Sequence, residues 1–218
     1  MARIIGIDKL TFRDMMSNLN LYGGLSDGLI QLPCPDYIKI GRNRYEIPET
    51  MSDLANKLCY GQRLFLAREE ADDIGLISRM MDGYYYPIVT GQKWDEEKAR
   101  LLGNKVLTCK VKELYPVAMR IITLVSEITE REVELLHKDP TKIERAAGIE
   151  ELAVFAELNS LDFLRDAMKI TVPEVLLTPY NECLVRFMNA KGIADYQARY
   201  IELLKIESKT KAKFHEKA

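Results

Sequence analysis

Residues 37–58 read YIKIGRNRYEIPETMSDLANKL, and the spacing of the apolar side chains changes along this stretch. Ile38 and Ile40 alternate with their neighbours at a period of two, and so do Tyr45 and Ile47, which is typical of two short β-strands. The second half of the stretch shows the 3.6-residue spacing of a helix instead. The stretch therefore predicts a β-hairpin that is followed by the first of many helices.

The predicted hairpin connection is the four-residue segment Gly41-Arg42-Asn43-Arg44. It contains a glycine and an asparagine, the residues that adopt positive φ most readily. A two-stranded hairpin is barely stable alone in water, so it needs a helix of its own chain or a neighbouring chain to lie on. The sequence leaves both arrangements open.

Helical spacing dominates the rest of the chain. Thr11 and Asp14 have the spacing of a capping box, and Asp95 is a further predicted N-cap. The predicted helices span about residues 11–20, 50–66 with an interruption at Gly61, 69–82, 95–103, 106–114, 117–138, 139–168 with a kink or break at Gly148, and a last helix after residue 179 with a weak point at Gly192.

Glycine and proline set the predicted ends of these helices. We expect Gly83 to stop the helix before it and Tyr84-Tyr85-Tyr86-Pro87 to be extended, because a residue before proline disfavours the helical conformation. Pro116 is predicted to open the long helix. Asp139-Pro140 and Thr178-Pro179 each place a cap residue before a proline in the first helical turn.

These patterns together predict a mainly α fold, a helical bundle with a short N-terminal arm and one β-hairpin. The arm would span residues 1–49, with the hairpin at about 37–47, and the helical domain would span residues 50–218. The arm also contains a predicted glycine-rich loop at residues 22–28 and a predicted extended segment at residues 29–36.

The composition is that of an ordinary globular protein, with 218 residues, 47% apolar, 29% charged and a net charge of −2. This charge argues against a surface devoted to nucleic acid. No apolar run approaches the roughly 20 residues of a membrane span, and the N-terminus is too briefly apolar for a secretory signal. The four cysteines form no close pair that would indicate zinc or a disulfide framework. We therefore expect a protein that is made in the cytoplasm and is used there or built into something assembled there.

Candidate catalytic and metal-binding residues are few. The two histidines are His137 and His215, and Glu134 with His137 makes one copy of a spacing that di-iron bundles use twice. Three acid clusters fall at predicted helix starts, where the helix dipole stabilises them: residues 69–70, 72–73 and 95–97. The sequence contains no phosphate-binding glycine loop. We expect no enzyme activity, no cofactor and no metal site.

Two groups of residues are candidates for contacts with other molecules. Tyrosine and tryptophan dominate protein–protein hot spots, and the apolar side of the hairpin needs a cover. The predicted interface residues are Tyr37, Ile38, Ile40, Tyr45, Ile47, Tyr84, Tyr85, Tyr86 and Trp94. The candidate nucleic-acid contacts are Lys205, Lys209, Lys211, Lys213 and Lys217. The rings also suit packing under neighbouring helices, and the lysines also suit a solvated helix end.

Two patches of the chain resemble small proteins of tailed bacteriophages, especially those of Bacteroides and the crAss-like group. The first patch is residues 39–49, KIGRNRYEIPE, a hairpin that ends in Tyr-x-Ile-Pro, followed by residues 58–63, LCYGQR. The second patch is residues 177–180, LTPY, which open the final helix. The patches cover under a fifth of the chain.

The resemblance implies a non-enzymatic virion protein, a head–tail connector subunit (portal adaptor or neck ring) that forms a ring-shaped homo-oligomer. Its partners would be other copies of itself and the portal and tail or neck proteins, with DNA in the channel and no membrane. It would be assembled into the virion in the host cytoplasm. Hairpins and arms that grip neighbouring subunits would explain the short hairpin here. The alternatives are a tail assembly chaperone that is absent from the mature particle, and a nucleic-acid-binding regulator that uses the lysine-rich C-terminus.

Overall fold

Helices make up most of the chain that the structure describes. The computed structural model describes four ranges: residues 9–17, 32–68, 73–106 and 108–215. Within them it contains ten α-helices, one 3₁₀-helix and one two-stranded antiparallel sheet. The helices are α1 (Phe12–Ser17), α2 (Met51–Lys57), α3 (Tyr60–Ala67), α4 (Asp73–Thr90), α5 (Glu96–Val106), α6 (Val111–Leu136), α7 (Lys142–Ala146), the 3₁₀-helix (Ile149–Phe155), α8 (Ala156–Met168), α9 (Val172–Leu177) and α10 (Tyr180–His215). The predicted mainly α fold with one hairpin is confirmed.

The N-terminal capping box forms as predicted. The backbone N–H of Asp14 donates to Thr11 Oγ1 at 3.2 Å, and the backbone N–H of Thr11 donates to Asp14 Oδ2 at 3.1 Å. These bonds satisfy donors that the first turn of α1 leaves without a helical partner. Residues 18–31, which include the loop predicted at residues 22–28, lie outside the described residues.

The hairpin pairs β1 (Tyr37–Ile40) with β2 (Asn43–Glu46). Ile40 lies opposite Asn43, so the connection is the two residues Gly41-Arg42 rather than the four that were predicted. Gly41 has a φ of 65°. Two-residue hairpin loops need positive φ at this first position, and glycine adopts it without strain.

The inner face of the hairpin is covered by the chain's own helices. Ile38 and Ile40 are 0% and 3% exposed, and Ile47, just after β2, is 9% exposed. The ring of Tyr45 in β2 meets the ring of Tyr85 in α4 edge to face, with the two centroids 6.3 Å apart. Burying an isoleucine fully contributes about 1.5–3 kcal/mol, so this packing is a large part of what stabilises the hairpin. Of the two arrangements that the sequence left open, the structure therefore has the one in which the chain's own helices cover these isoleucines.

Helix α4 passes through Gly83 and Pro87, so the predicted helix end and the predicted extended tyrosine segment are both wrong. Pro87 has no N–H to donate to the carbonyl of Gly83 one turn earlier. Gln62 Nε2 donates to that carbonyl at 2.7 Å instead. Gly83 also lets α3 approach closely, because a Cβ there would lie 2.7 Å from Leu66 Cδ2.

The break between α2 and α3 lies at Leu58-Cys59, whereas the sequence predicted it at Gly61. This short extended segment pairs with the chain just before α10. The N–H of Tyr60 donates to Thr178 O at 2.8 Å, and the N–H of Tyr180 donates to Leu58 O at 3.0 Å. A long-range pairing, which no local pattern contains, therefore sets this boundary.

Two predicted helix starts are also displaced. Pro116 lies in the second turn of α6 instead of opening the helix. Thr141 rather than Asp139 caps α7, because the N–H of Glu144 donates to Thr141 Oγ1 at 3.2 Å. The predicted cap at Asp95 is confirmed by a 3.1 Å bond from the N–H at residue 98 to its carboxylate.

The remaining glycines differ in their effect. Gly148, with a φ of 81°, separates α7 from the 3₁₀-helix, so the break predicted there is confirmed. Helix α5 continues through Gly103 to residue 106, and α10 continues through Gly192. The short helix α9 was not predicted.

Helix α6 lies at the centre of the core, with α2, α3, α4 and β1 packed around it. Its buried residues are Val111, Leu114, Pro116, Val117, Ala118, Ile121, Leu124, Val125 and Ile128. Leu10, Phe12 and the hairpin isoleucines belong to the same core, so residues of the predicted arm and of the predicted helical domain pack together. None of the described helices has the length and apolar character needed to cross a membrane.

Helix α10 packs on the rest of the chain through its first turns. Tyr180 and Cys183 are 4% and 0% exposed, and the ring of Phe187 stacks on that of Phe163 with centroids 5.3 Å apart. From residue 192 to residue 208 every described side chain except the half-buried Asp195 is exposed. The distal half of α10 therefore extends beyond the core.

Candidate functional site

Most of the predicted interface residues lie in the chain's own core. Six of the nine are at most 9% exposed: Ile38, Ile40, Ile47, Tyr84, Tyr85 and Tyr86. Tyr45 and Trp94 are half-buried and pack against the core. Tyr37 is 43% exposed, with the guanidinium of Arg44 4.4 Å from its ring centroid. The predicted set therefore does not form an exposed contact surface.

The aromatic rings around α4 pack under neighbouring helices, which is the alternative that the sequence left open. The ring centroid of Trp94 lies 5.3 Å from that of Phe65 and 6.2 Å from that of Tyr86. Gly61 makes room for this indole, because a Cβ at Gly61 would lie 2.8 Å from Trp94 Cδ1. The hydroxyl of Tyr86 donates to Gln92 Oε1 at 2.9 Å.

A partly buried ion pair joins α3 to α6 beside the first turn of α10. Arg63 is 4% exposed, and its Nε and Nη2 donate to the two carboxylate oxygens of Glu132 at 3.2 and 2.5 Å. Nη2 also donates to Thr129 Oγ1 at 2.8 Å. Such a bidentate pair stabilises both charges where little water is present. Burial, with the nearby carboxylate of Glu132, raises the pKa of Tyr180, so this hydroxyl stays protonated.

The ion pair forms part of the wall of a cavity of about 440 Å³ between α3, α6, α8 and α10. His137 and Ser160 also line this cavity. The hydroxyl of Ser160 donates to Ala156 O of its own helix at 2.8 Å, and His137 Nε2 lies 3.3 Å from Asp139 Oδ1. The serine hydroxyl is thus directed at a backbone carbonyl and is not arranged as an activated nucleophile.

The buried cysteines behave as core residues. Burial raises the pKa of Cys109 to about 11 and that of Cys183 to about 12, so both thiols stay protonated at neutral pH. Among the described residues, no group of three or more His, Cys, Asp or Glu side chains is placed to hold a metal ion.

A row of apolar side chains is exposed along the distal half of α10. Ile193, Tyr196, Tyr200 and Leu203 recur at intervals of three and four residues and so lie on one side of the helix; we call these four residues the distal face. They are 50, 62, 52 and 65% exposed, and the rings of Tyr196 and Tyr200 stack with centroids 6.2 Å apart. At about 100° per residue, this side is roughly opposite the side of α10 that packs on the core.

A second exposed apolar surface lies at residues 142–158, which we call the acidic segment. It comprises α7, the 3₁₀-helix and the first residues of α8. Its exposed large apolar side chains are Ile143 (81% exposed), Ile149 (37%), Leu152 (57%), Val154 (84%), Phe155 (53%) and Leu158 (55%). The acidic segment contains four glutamates against one lysine and one arginine, so it is both apolar and negatively charged.

The candidate nucleic-acid contacts lie on the same projecting helix as the distal face. Lys205 is exposed, and α10 includes the backbone of residues 209, 211 and 213, whereas Lys217 lies outside the described residues. From residue 192 to residue 215 the helix carries five lysines and arginines against three acids. Its net charge is therefore opposite in sign to that of the acidic segment.

Sequence patterns missed the two exposed surfaces and the partly buried ion pair for different reasons. Helical spacing shows that Tyr196 and Tyr200 share a side of α10, but it does not show that no other part of the chain covers that side. Glu132 did leave a signal, because it follows Val125 and Ile128 at the spacing of the buried side of α6. A charged residue at such a position indicates a buried partner, and the partner here is Arg63.

Comparison with protein-family models, with curated proteins and with solved structures found no match to this chain.

Proposed function

We propose that this protein is a non-enzymatic structural protein that assembles with copies of itself, as a head–tail connector subunit (portal adaptor or neck ring) in the virion of a tailed bacteriophage. The observation that carries the proposal is the distal face of α10, where four large apolar side chains are 50–65% exposed beyond the core. The resemblance of residues 39–49 and 58–63 to small phage proteins supports the more specific role.

The distal face is the part of the molecule that gains most from a partner. Rows of exposed apolar side chains commonly mark protein–protein contact sites. Covering the exposed half of one large apolar side chain contributes about 1 kcal/mol, so the four together contribute roughly 4 kcal/mol. A helix without tertiary packing is also only marginally stable in water, and a partner would stabilise it. The apolar side of the hairpin is already covered by the chain's own helices, so it would gain little from a partner.

The proposed partners are other copies of this chain in a ring, and then the portal and tail or neck proteins. In this proposal α10 takes the place that the sequence gave to the hairpin, that of an arm reaching a neighbour. The lysines of α10 could meet the phosphates of DNA in the channel of such a ring, through a sequence-independent contact.

The test is the oligomeric state of the full chain, measured by size-exclusion chromatography with light scattering. We expect an oligomer for the wild type and a monomer for the variant Tyr196→Ser/Tyr200→Ser/Leu203→Ser. The control is Ala194→Ser/Ala198→Ser/Glu202→Ser, which introduces serine at three positions on another side of the same exposed stretch of helix and should leave the oligomer intact. A wild-type chain that stays monomeric and binds no portal or tail protein would contradict the proposal.

The distal face also suits the client-binding surface of a tail assembly chaperone. Mass spectrometry of purified virions separates the two roles, since a connector is present in the particle and a chaperone is absent. DNA binding that weakens steeply with salt and is lost after Lys205→Ala/Lys209→Ala/Lys211→Ala would instead favour a nucleic-acid-binding regulator.

A further inference from the structure

The outer side of the β-hairpin is exposed and positively charged. Lys39 lies directly opposite Arg44 in the register, and both side chains are exposed. They project from the side opposite to Ile38 and Ile40, because successive residues of a strand point to opposite faces. Arg42 in the turn is also exposed, and we call Lys39, Arg42 and Arg44 the hairpin cations. We infer that the hairpin cations bind the phosphate backbone of nucleic acid.

The contact between Arg44 and Tyr37 confirms which side of the hairpin these residues occupy. Tyr37 pairs with Glu46, so Tyr37 and Arg44 are diagonal neighbours on one face of the hairpin. The guanidinium of Arg44 lies 4.4 Å from the ring centroid of Tyr37, which is 43% exposed. Both side chains therefore project from the outer face, away from the core.

The turn end of the hairpin concentrates positive charge. Residues 39–44, KIGRNR, contain three cations and no acid, in a chain whose net charge is −2. Within the described part of the chain, none of the hairpin cations forms an ion pair. The two acids that flank them in sequence are Asp36 and Glu46, at the open end of the hairpin, and Glu46 Oε2 lies 3.9 Å from Lys57 Nζ. The described chain therefore leaves the charge of the hairpin cations without a direct partner.

The placement of Lys39 opposite Arg44 is unfavourable for the fold itself. Like charges that face each other directly across an antiparallel pair are destabilising. Departures from such a rule, with no compensating interaction in the fold, are expected at functional positions. An anion that binds between the two side chains removes their repulsion and gives both a hydrogen-bond acceptor.

Nucleic acid is the anion that fits this face best. Two of the three hairpin cations are arginines, whose planar guanidinium donates two N–H groups to one phosphate. Membrane attachment through charge usually requires a cluster of about four to eight lysines and arginines, which is more than the hairpin has. The buried Ile38 and Ile40 fix the hairpin on the core, so little conformational freedom is lost on binding.

The expected binding is electrostatic and independent of base sequence. Each phosphate that a cation neutralises contributes about 0.9 to the steepness with which the logarithm of the affinity falls with the logarithm of the salt concentration. Three contacts therefore contribute about 2.7. The site lies within one copy of the chain, so this inference does not depend on self-association. A ring would present several such sites to one nucleic acid and bind it more tightly.

Titration of the full chain against a fluorescently labelled short DNA duplex, followed by anisotropy at several salt concentrations, tests the inference. We expect Lys39→Gln/Arg42→Gln/Arg44→Gln to weaken binding at low salt by about tenfold or more and to reduce the steepness by about 2.7. The single variant Arg42→Gln should reduce it by about 0.9. Circular dichroism checks that each variant is folded.

The matched control is Arg131→Gln/Lys142→Gln/Arg145→Gln. It removes the same residue types and the same charge from exposed positions on α6 and α7. This control should bind DNA as the wild type does. An equal loss in the control would show a general effect of net charge and overturn the inference.

The other outcomes separate this inference from the proposed function. A chain that self-associates but does not bind DNA at low salt, or binds only anionic lipid vesicles, would overturn the inference and leave self-association standing. DNA binding that is lost in Lys205→Ala/Lys209→Ala/Lys211→Ala and kept in the hairpin variant would place the contact on α10 and also overturn it. A monomer that binds DNA through the hairpin would contradict self-association and support the inference.

Stability measurements on Lys39→Glu give a second, independent test. This substitution replaces a repulsion with an attraction to Arg44 across the strands. We expect the variant to unfold at a higher urea concentration than the wild type and to bind the DNA duplex more weakly. A variant that unfolds at a lower urea concentration and binds DNA as tightly as the wild type would overturn the inference.

Discussion

Asp82 is a carboxylate inside the core. It is 4% exposed, and the hydroxyl of Ser78 donates to its Oδ2 at 3.2 Å. Burial raises the pKa of Asp82 to about 7, and the hydroxyl of Ser78 and the charge of Arg100 offset only part of this effect. The folded protein therefore binds a proton at Asp82 over a pH range in which the unfolded chain has released it.

The variant Asp82→Asn should be more stable than the wild type at pH 8 and about as stable at pH 4. The folded state holds the proton up to about pH 7, whereas the unfolded chain releases it near pH 4. The contribution of Asp82 to the free energy of unfolding therefore falls as the pH rises from about 4 to about 7. Asparagine stays neutral at every pH, so the Asp82→Asn variant does not lose this contribution. Urea unfolding of the variant and the wild type at pH 4 and pH 8 measures the difference in their free energies of unfolding.

Asp95→Asn is the control with the opposite sign. Hydrogen bonds from Lys98 lower the pKa of Asp95, so its stabilising contribution is present above pH 4 and is lost as the pH falls. This variant should lose stability at pH 8. If Asp82→Asn also loses stability at pH 8, the Asp82 carboxylate is stabilised in its charged form, contrary to the prediction.

Among the elements, helix breakers show what the sequence can and cannot predict. Gly148 was predicted to break the helix and does so, because it adopts a φ of 81°. Gly83 and Pro87 were predicted to end a helix and do not, because the side chain of Gln62 supplies the hydrogen bond that Pro87 cannot make. That donor is 21 residues away from Gly83. Local patterns contain the tendency to break but not the distant side chain that compensates for it.

Gly83→Ala and Gly192→Ala should change stability in opposite directions. A Cβ at Gly83 would lie 2.7 Å from Leu66 Cδ2 and 2.9 Å from Phe65 Cδ1, so alanine pushes α3 and α4 apart. We expect a loss of about 1–3 kcal/mol in the free energy of unfolding, measured with urea. A Cβ at Gly192 meets nothing within 4 Å. Alanine there should strengthen the helix by about 1 kcal/mol, which slows amide hydrogen exchange around residue 192. A stable Gly83→Ala protein would mean that the two helices can separate at little cost.

The hairpin and α10 show why the fold was predictable from sequence and the candidate site was not. Alternation at Ile38 and Ile40 predicts two strands whichever surface covers them. Aromatic residues are common both in cores and at interfaces, so Tyr84 and its neighbours gave no sign of which they occupy. The distal face has the same helical spacing as the buried first turns of α10. Only the packing of the whole chain distinguishes a covered face from an exposed one.

In the whole molecule, stability is distributed unevenly between the core and α10. The core is centred on α6, whose residues Val117, Ala118 and Ile121 are fully buried. The distal half of α10 has backbone hydrogen bonds but little side-chain packing, which is typical of segments that open locally at low free-energy cost. Self-association through the distal face would add side-chain packing to this half of α10.

Hydrogen exchange at several protein concentrations should therefore separate these two regions. We expect amides at residues 196–208 to exchange quickly in dilute protein and about tenfold or more slowly at high concentration, because binding to a second copy stabilises the helix by mass action. Amides at residues 114–128 should show no such dependence while the fold is intact. The variant Tyr196→Ser/Tyr200→Ser/Leu203→Ser should exchange quickly at all concentrations. Concentration dependence in this variant would show that a surface other than the distal face joins the copies.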